Sequence, residues 1–124
     1  MILVIFNSFQ NINSTQNNDK PKIIRNADVV IPTKVSRPGC EKTDSCYFPS
    51  KIVITQGNSV TWVNEDAAFH SVTSGFYDKP TKIFDSGYLD PEKSFTLYFD
   101  HVGTIDYFCT LHPWMKGQVI VEPN

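Results

Sequence analysis

Alternation of apolar and polar residues, interrupted by turn residues at short intervals, is the feature that most constrains the fold of this chain. Ser59–Asn64 and residues 95–99 alternate in this way, with Val60 and Trp62 on one face of the first run. Turn residues recur every ~8–15 positions along the chain. They are Gly57, Gly75, Pro80, Gly87, Pro91, Gly103 and Gly117. Helical spacing and internal repeats are both missing, so the sequence predicts an all-β sandwich of seven to eight strands.

Size and composition are those of one small domain. The chain has 124 residues, of which 40% are hydrophobic and 13% aromatic, enough for a packed core. Six apolar residues followed by a polar tract predict that residues 1–20 are a flexible leader, or the remnant of a signal or membrane anchor. Residues 21–124 are then the folded domain. A net charge of −2 and the lack of a basic run argue against nucleic acid as a partner.

Two of the three cysteines lie in one polar loop. Cys40 and Cys46 flank a short segment that follows Pro38 and Gly39. A disulfide that closes a surface loop fits this pattern, and two free thiols are the alternative. The disulfide indicates an oxidising, extracytoplasmic compartment. Cys109 would remain unpaired there, and a metal would protect it.

A cluster of metal-binding residue types stands near the C-terminus. Cys109, His112 and Met115 recur at intervals of three between two predicted strands. His70 lies upstream, where it is predicted to open a new strand just after the one that contains Trp62. Thiolate and thioether sulfurs favour copper(I), while imidazole binds either oxidation state of copper. Zinc is the alternative metal, but a structural zinc site needs four closed ligands and thioether is a poor one. Ordinary core packing of the cysteine and the methionine is the alternative to any metal.

These residues resemble the ligands of the type 1 copper proteins, the cupredoxins. The shared pattern is Cys109-x2-His112-x2-Met115, the upstream His70, and the segment Gly103-Thr-Ile-Asp-Tyr-Phe that leads into the cysteine. The short ligand loop is most similar to that of the amicyanins, and the plastocyanins are more distant relatives. The chain as a whole is similar to small archaeal cupredoxins. The resemblance implies a Greek-key sandwich with one copper ion, three equatorial ligands from the histidines and cysteine, and an axial methionine.

Two positions depart from the pattern of the family, which the chain resembles over about residues 28–122. Ser71 stands where many members have an asparagine that ties the two ligand loops together, and Leu111 stands where amicyanin-like loops have a proline. Ser71 can still hydrogen-bond toward Thr110.

Electron transfer between redox partner proteins is the function that the resemblance favours, in a monomer or weak oligomer. The alternative is a small-molecule redox enzyme, such as one that oxidises nitric oxide, at a copper site from which Met115 stays away. A second catalytic copper centre needs further histidines, and of the three in the chain only His101 is left, in a predicted surface turn. Storage or delivery of copper is weakly supported because the chain has only two methionines.

Carboxylates give no predicted catalytic pair. Six of them fall in predicted turns, where acidic side chains normally face solvent. These six are Glu65, Asp66, Asp78, Asp85, Asp90 and Glu92.

Overall fold

The structure is a computed structural model, and it describes residues 27–124. This part of the chain folds into eight strands in two sheets. The strands are β1 (Val29–Ile31), β2 (Lys51–Thr55), β3 (Ser59–Asn64), β4 (Thr73–Phe76), β5 (Lys79–Asp85), β6 (Ser94–Tyr98), β7 (Gly103–Phe108) and β8 (Lys116–Glu122). One 3₁₀ turn, Cys40–Thr43, precedes β2. The predicted boundary between a leader and a domain at residue 20 lies outside the described residues and stays a prediction.

Strands that are distant in sequence pair with one another. One sheet has the order β1-β3-β6 and the other the order β2-β8-β7-β4-β5. The pairs β1–β3 and β2–β8 are parallel, and the remaining pairs are antiparallel. The prediction of an all-β sandwich with seven to eight strands is confirmed.

The core between the sheets is aromatic and is centred on Trp62. Its ring is fully buried on β3 and lies 5.4 Å from the ring of Tyr107, measured between centroids. Phe84 and Phe95 lie at 6.3 and 5.8 Å from the same ring. Burial alternates along β3 as the sequence pattern predicted, since Val60 and Trp62 point inward. Fully burying side chains of this kind contributes roughly 1.5–3 kcal/mol each.

Four of the predicted turn residues lie inside strands instead. Gly75 interrupts the register of β4 with β5 at a φ of 100°, and a Cβ there would meet the backbone of β5 at 2.6 Å. Pro80 lies in β5, an edge strand, where a missing N–H is tolerated. Gly103 opens β7, and Gly117 lies in β8 against the ring of Tyr107. Close approaches therefore account for Gly75 and Gly117, a sheet edge accounts for Pro80, and a φ of 148°, which side chains rarely adopt, accounts for Gly103.

The predicted disulfide between Cys40 and Cys46 is present and closes the loop before β2. In the part of the chain that is described, no helix is long and apolar enough to cross a membrane.

Strand direction places the C-terminal cluster at one end of the sandwich. Strand β7 runs from Gly103 to Phe108, so the next residue, Cys109, emerges at the end opposite to the β6–β7 connection. At the cysteine end, β8 starts from Lys116 and closes the short loop that holds His112. The prediction that His70 opens a new strand needs correction. It forms an isolated bridge with Leu89, and β4 begins three residues later, at Thr73.

Candidate metal centre

Three potential metal-binding side chains converge at this end of the sandwich. The ligand atoms of His70, Cys109 and His112 all lie within 4.8 Å of one another. The sulfur of Cys109 is 3.8 Å from Nδ1 of His70 and 3.6 Å from Nδ1 of His112, and the two nitrogens are 3.1 Å apart. The structure therefore brings together the three residues that the sequence predicts as ligands.

The sulfur of Cys109 sits in a fully buried position at the end of β7. The backbone N–H of Ser71 donates to it at 3.3 Å. Burial raises the pKa of the thiol, but hydrogen bonds with His70 and with backbone N–H groups, including that of Ser71, bring the pKa below its usual value. The site therefore favours the thiolate, the form that binds metals.

His70 is fully buried and is held at both ring nitrogens. Its Nε2 lies 2.7 Å from Oδ2 of Asp66, on the side away from Cys109. Burial lowers the pKa of this imidazole, and its hydrogen bonds to Cys109 and Asp66 more than offset that effect, so the pKa is raised.

Asp66 contacts the site, and it was not singled out in the sequence analysis. Its side chain was expected to face solvent in a turn, but Asp66 is only 5% exposed. Its other oxygen, Oδ1, accepts the backbone N–H of Lys34 at 2.8 Å. Burial raises the pKa of the carboxyl, but the hydrogen bonds from His70 and Lys34 have the larger opposite effect, so the pKa is lowered. The carboxyl therefore stays ionised. The available signal was the spacing of four residues between an aspartate and a candidate ligand.

Met115 and His112 are positioned by a tight loop. The backbone N–H of Met115 donates to the carbonyl of His112 at 2.9 Å, and that of Cys109 donates to the carbonyl of Met115 at 3.2 Å. Met115 is fully buried, whereas His112 is half-buried and its neighbour Leu111 is 42% exposed. Burial, together with the nearby His70, lowers the pKa of His112. One ligand candidate is thus closed off from solvent and the other lies at the surface.

Ser71 ties together the segments that contain His70 and Cys109. Its hydroxyl oxygen accepts the backbone N–H of Thr110 at 3.0 Å and lies 3.2 Å from the Thr110 hydroxyl and 2.9 Å from that of Thr73. Tyr47 donates from its hydroxyl to the carbonyl of Ser71 at 2.6 Å. The predicted bond toward Thr110 is therefore present, and serine is long enough to make it.

Trp114 turns inward rather than standing free at the surface. Its indole N–H donates to the carbonyl of Val35 at 3.1 Å, and its ring centroid lies 5.4 Å from that of His112. The sulfur of Cys46 lies 3.9 Å from the carbonyl oxygen of Trp114, so the disulfide loop packs against the ligand loop. His101, the third histidine, is exposed in the β6–β7 connection, at the opposite end of the sandwich.

The donor set fits copper better than zinc. A buried thiolate faces two imidazole nitrogens, with a buried thioether next along the loop, and this combination suits both oxidation states of copper. A structural zinc ion needs four closed ligands of the cysteine, histidine or carboxylate type. The only carboxylate at the described cluster, Asp66, bonds to the far nitrogen of His70 and does not face the thiol.

Comparison with known proteins agrees with this geometry. A family model described as copper binding proteins of the plastocyanin/azurin family matches residues 35–122. Amicyanin from Paracoccus versutus is 32% identical over 92 residues, which are 74% of this chain and 68% of that protein. Amicyanin from Paracoccus denitrificans is 33% identical over 61% of this chain, which spans 58% of that protein.

Solved structures agree on the fold. A purple cupredoxin from Nitrosopumilus maritimus superposes with a TM-score of 0.70 at 30% identity, over 78% of this chain and all of that one. An eight-stranded sandwich with a cysteine and two histidines at one end defines a cupredoxin-like copper protein. The chain belongs to the plastocyanin/azurin family of copper binding proteins.

Proposed function

We propose that this protein is a one-electron carrier with a type 1 copper site, and that His70, Cys109, His112 and Met115 are the ligands. The observation that carries the proposal is the buried Cys109 sulfur between two imidazole nitrogens, at 3.8 and 3.6 Å. Bound copper would take up one electron from a donor protein and release it to an acceptor, by cycling between copper(II) and copper(I).

Hydrogen bonds hold the proposed ligands of this site in fixed positions. Ser71 holds the sulfur through its N–H and the next residue of the ligand loop through its hydroxyl. Two backbone hydrogen bonds close the loop from Cys109 to Met115. Ligands held in this way move little when the charge at their centre changes, because alternative positions would break several bonds at once. Small rearrangement favours fast electron transfer.

Electrons are proposed to enter and leave beside His112. This imidazole is half-buried, and Leu111 exposes 42% of its surface next to it. Phe69, which precedes the other histidine ligand, is 47% exposed. Encounters between redox proteins are small and transient, so a modest apolar patch is sufficient for a partner protein.

The carrier role is preferred to that of an enzyme. The chain has three histidines, and the one outside the cluster, His101, lies in the connection at the far end of the described sandwich. Met115 is fully buried and bonded to His112 through its backbone, which supports a methionine close to the site rather than an open position.

An extracytoplasmic location is proposed from the disulfide. Such bonds persist in oxidising compartments, and the Cys40–Cys46 bond closes a loop that packs on the ligand segment. Tethering through the N-terminal segment remains a prediction.

Voltammetry and measurement of the self-exchange rate by NMR line broadening test the carrier role. We expect a reversible one-electron wave and fast self-exchange. Leu111→Lys should slow self-exchange, because it puts a charge beside His112, whereas Val53→Lys, on the similarly exposed β2, should not. An irreversible wave, or consumption of added nitric oxide by catalytic turnover, would refute the carrier role.

A further inference from the structure

The carboxylate of Asp66 is buried against a proposed ligand. Asp66 is 5% exposed and His70 is not exposed at all. Both oxygens of the carboxylate have partners, since Oδ2 contacts Nε2 of His70 at 2.7 Å and Oδ1 accepts the N–H of Lys34 at 2.8 Å. The backbone N–H of Asp66 is itself fixed by Oδ1 of Asn64 at 2.9 Å. A buried charge is destabilising unless it is paired and hydrogen-bonded. Its pairing here with a proposed ligand indicates a role for Asp66 at the site.

The contact selects one tautomer of His70. An ionised carboxylate only accepts hydrogen bonds, so the hydrogen of the neutral ring must be on Nε2. The lone pair is then on Nδ1, the nitrogen that lies 3.8 Å from the sulfur of Cys109 and 3.1 Å from Nδ1 of His112. Carboxylate partners of this kind fix the orientation of a metal-binding imidazole and make it a more basic ligand.

The same charge acts on the redox equilibrium. A negative charge one imidazole away from the ion stabilises the more positive oxidised state more than the reduced state. We propose that Asp66 is a positioning residue that holds His70 through Nε2 and lowers the reduction potential of the site. This inference rests on the proposed copper site.

Asp66→Asn tests the effect on the potential, because it removes the charge and keeps the shape. Asp100→Asn is the matched control, since it makes the same change in net charge on an exposed residue in the β6–β7 connection at the other end of the sandwich. Relative to this control, we expect Asp66→Asn to change the ratio of copper(II) to copper(I) affinity at least tenfold toward copper(I). A tenfold change raises a one-electron potential by about 59 mV.

A measurement on the unmodified protein covers the case in which Asp66→Asn does not fold. In the copper(I) form, long-range ¹H–¹⁵N correlation should show the Nε2 hydrogen of His70 shifted well downfield of that of His112, because it donates to an ionised carboxylate at 2.7 Å. Equal potentials for the two variants, or an Nε2 hydrogen of His70 without this downfield shift, would overturn the role of Asp66. Absence of the type 1 visible spectrum from the unmodified protein would instead refute the proposed copper site.

Discussion

Replacing Ser71 with alanine tests whether one hydroxyl holds the two ligand segments together. The hydroxyl accepts the N–H of Thr110 at 3.0 Å and contacts the hydroxyls of Thr110 and Thr73 at 3.2 and 2.9 Å. Its loss leaves a partly buried N–H without this acceptor, which costs about 1–3 kcal/mol, and weakens two further contacts worth roughly 0.5–1 kcal/mol each. We expect Ser71→Ala to lower the free energy of unfolding by about 2–5 kcal/mol.

Urea unfolding of the metal-free protein, with its disulfide intact, measures this loss. With a slope of about 2 kcal/mol/M, the midpoint should fall by about 1–2.5 M. Ser50→Ala is the control, because that hydroxyl donates to the carboxylate of Asp44 at 2.7 Å in an exposed setting and should cost about 0.5 kcal/mol or less. If the two variants unfold at the same urea concentration, Ser71 does not hold the ligand segments together.

Three further variants test other parts of the account. Gly117→Ala should cost about 1–3 kcal/mol in thermal or urea unfolding, because the added methyl group overlaps the buried ring of Tyr107, and an unchanged midpoint would contradict that packing. Burial raises the pKa of Tyr47 well above its ordinary value, so the protein should lose stability as the pH rises above about 10. Tyr47→Phe should flatten this decline. Equal declines in the variant and the unmodified protein would refute the role of Tyr47 in it. Converting Cys40 and Cys46 together to serine should cost about 2 kcal/mol through the entropy of the freed loop, and an unchanged unfolding midpoint would count against it.

Alternation predicted the strands of the core well, and less so the outer ones. The run from Ser59 to Asn64 is a strand with the predicted inward face, because the apolar Val60 and Trp62 alternate with less buried residues. Strand β5 was not predicted: of its seven residues only Phe84 is buried, so exposed side chains give it no alternation. In addition, Pro80 was interpreted as a turn residue, although an edge strand accommodates proline.

The candidate metal centre was predicted because its chemistry is local and rare. Three of its residue types lie within seven positions, Cys109 to Met115. Of the two other histidines, His101 was predicted to lie in a surface turn, which left His70 as the second imidazole. Asp66 was wrongly expected to face solvent, because nothing in a turn sequence shows that Lys34, 32 residues earlier, supplies the N–H that makes its burial tolerable. Partners at such distances in sequence are fixed by tertiary packing.

A copper(II) titration followed by visible and electron paramagnetic resonance spectroscopy tests the central claim most directly. The account predicts one copper per chain, an intense thiolate-to-copper absorption in the visible range, and loss of that absorption in Cys109→Ala. A colourless protein that binds zinc in preference to copper, or a visible band that survives Cys109→Ala, would contradict it.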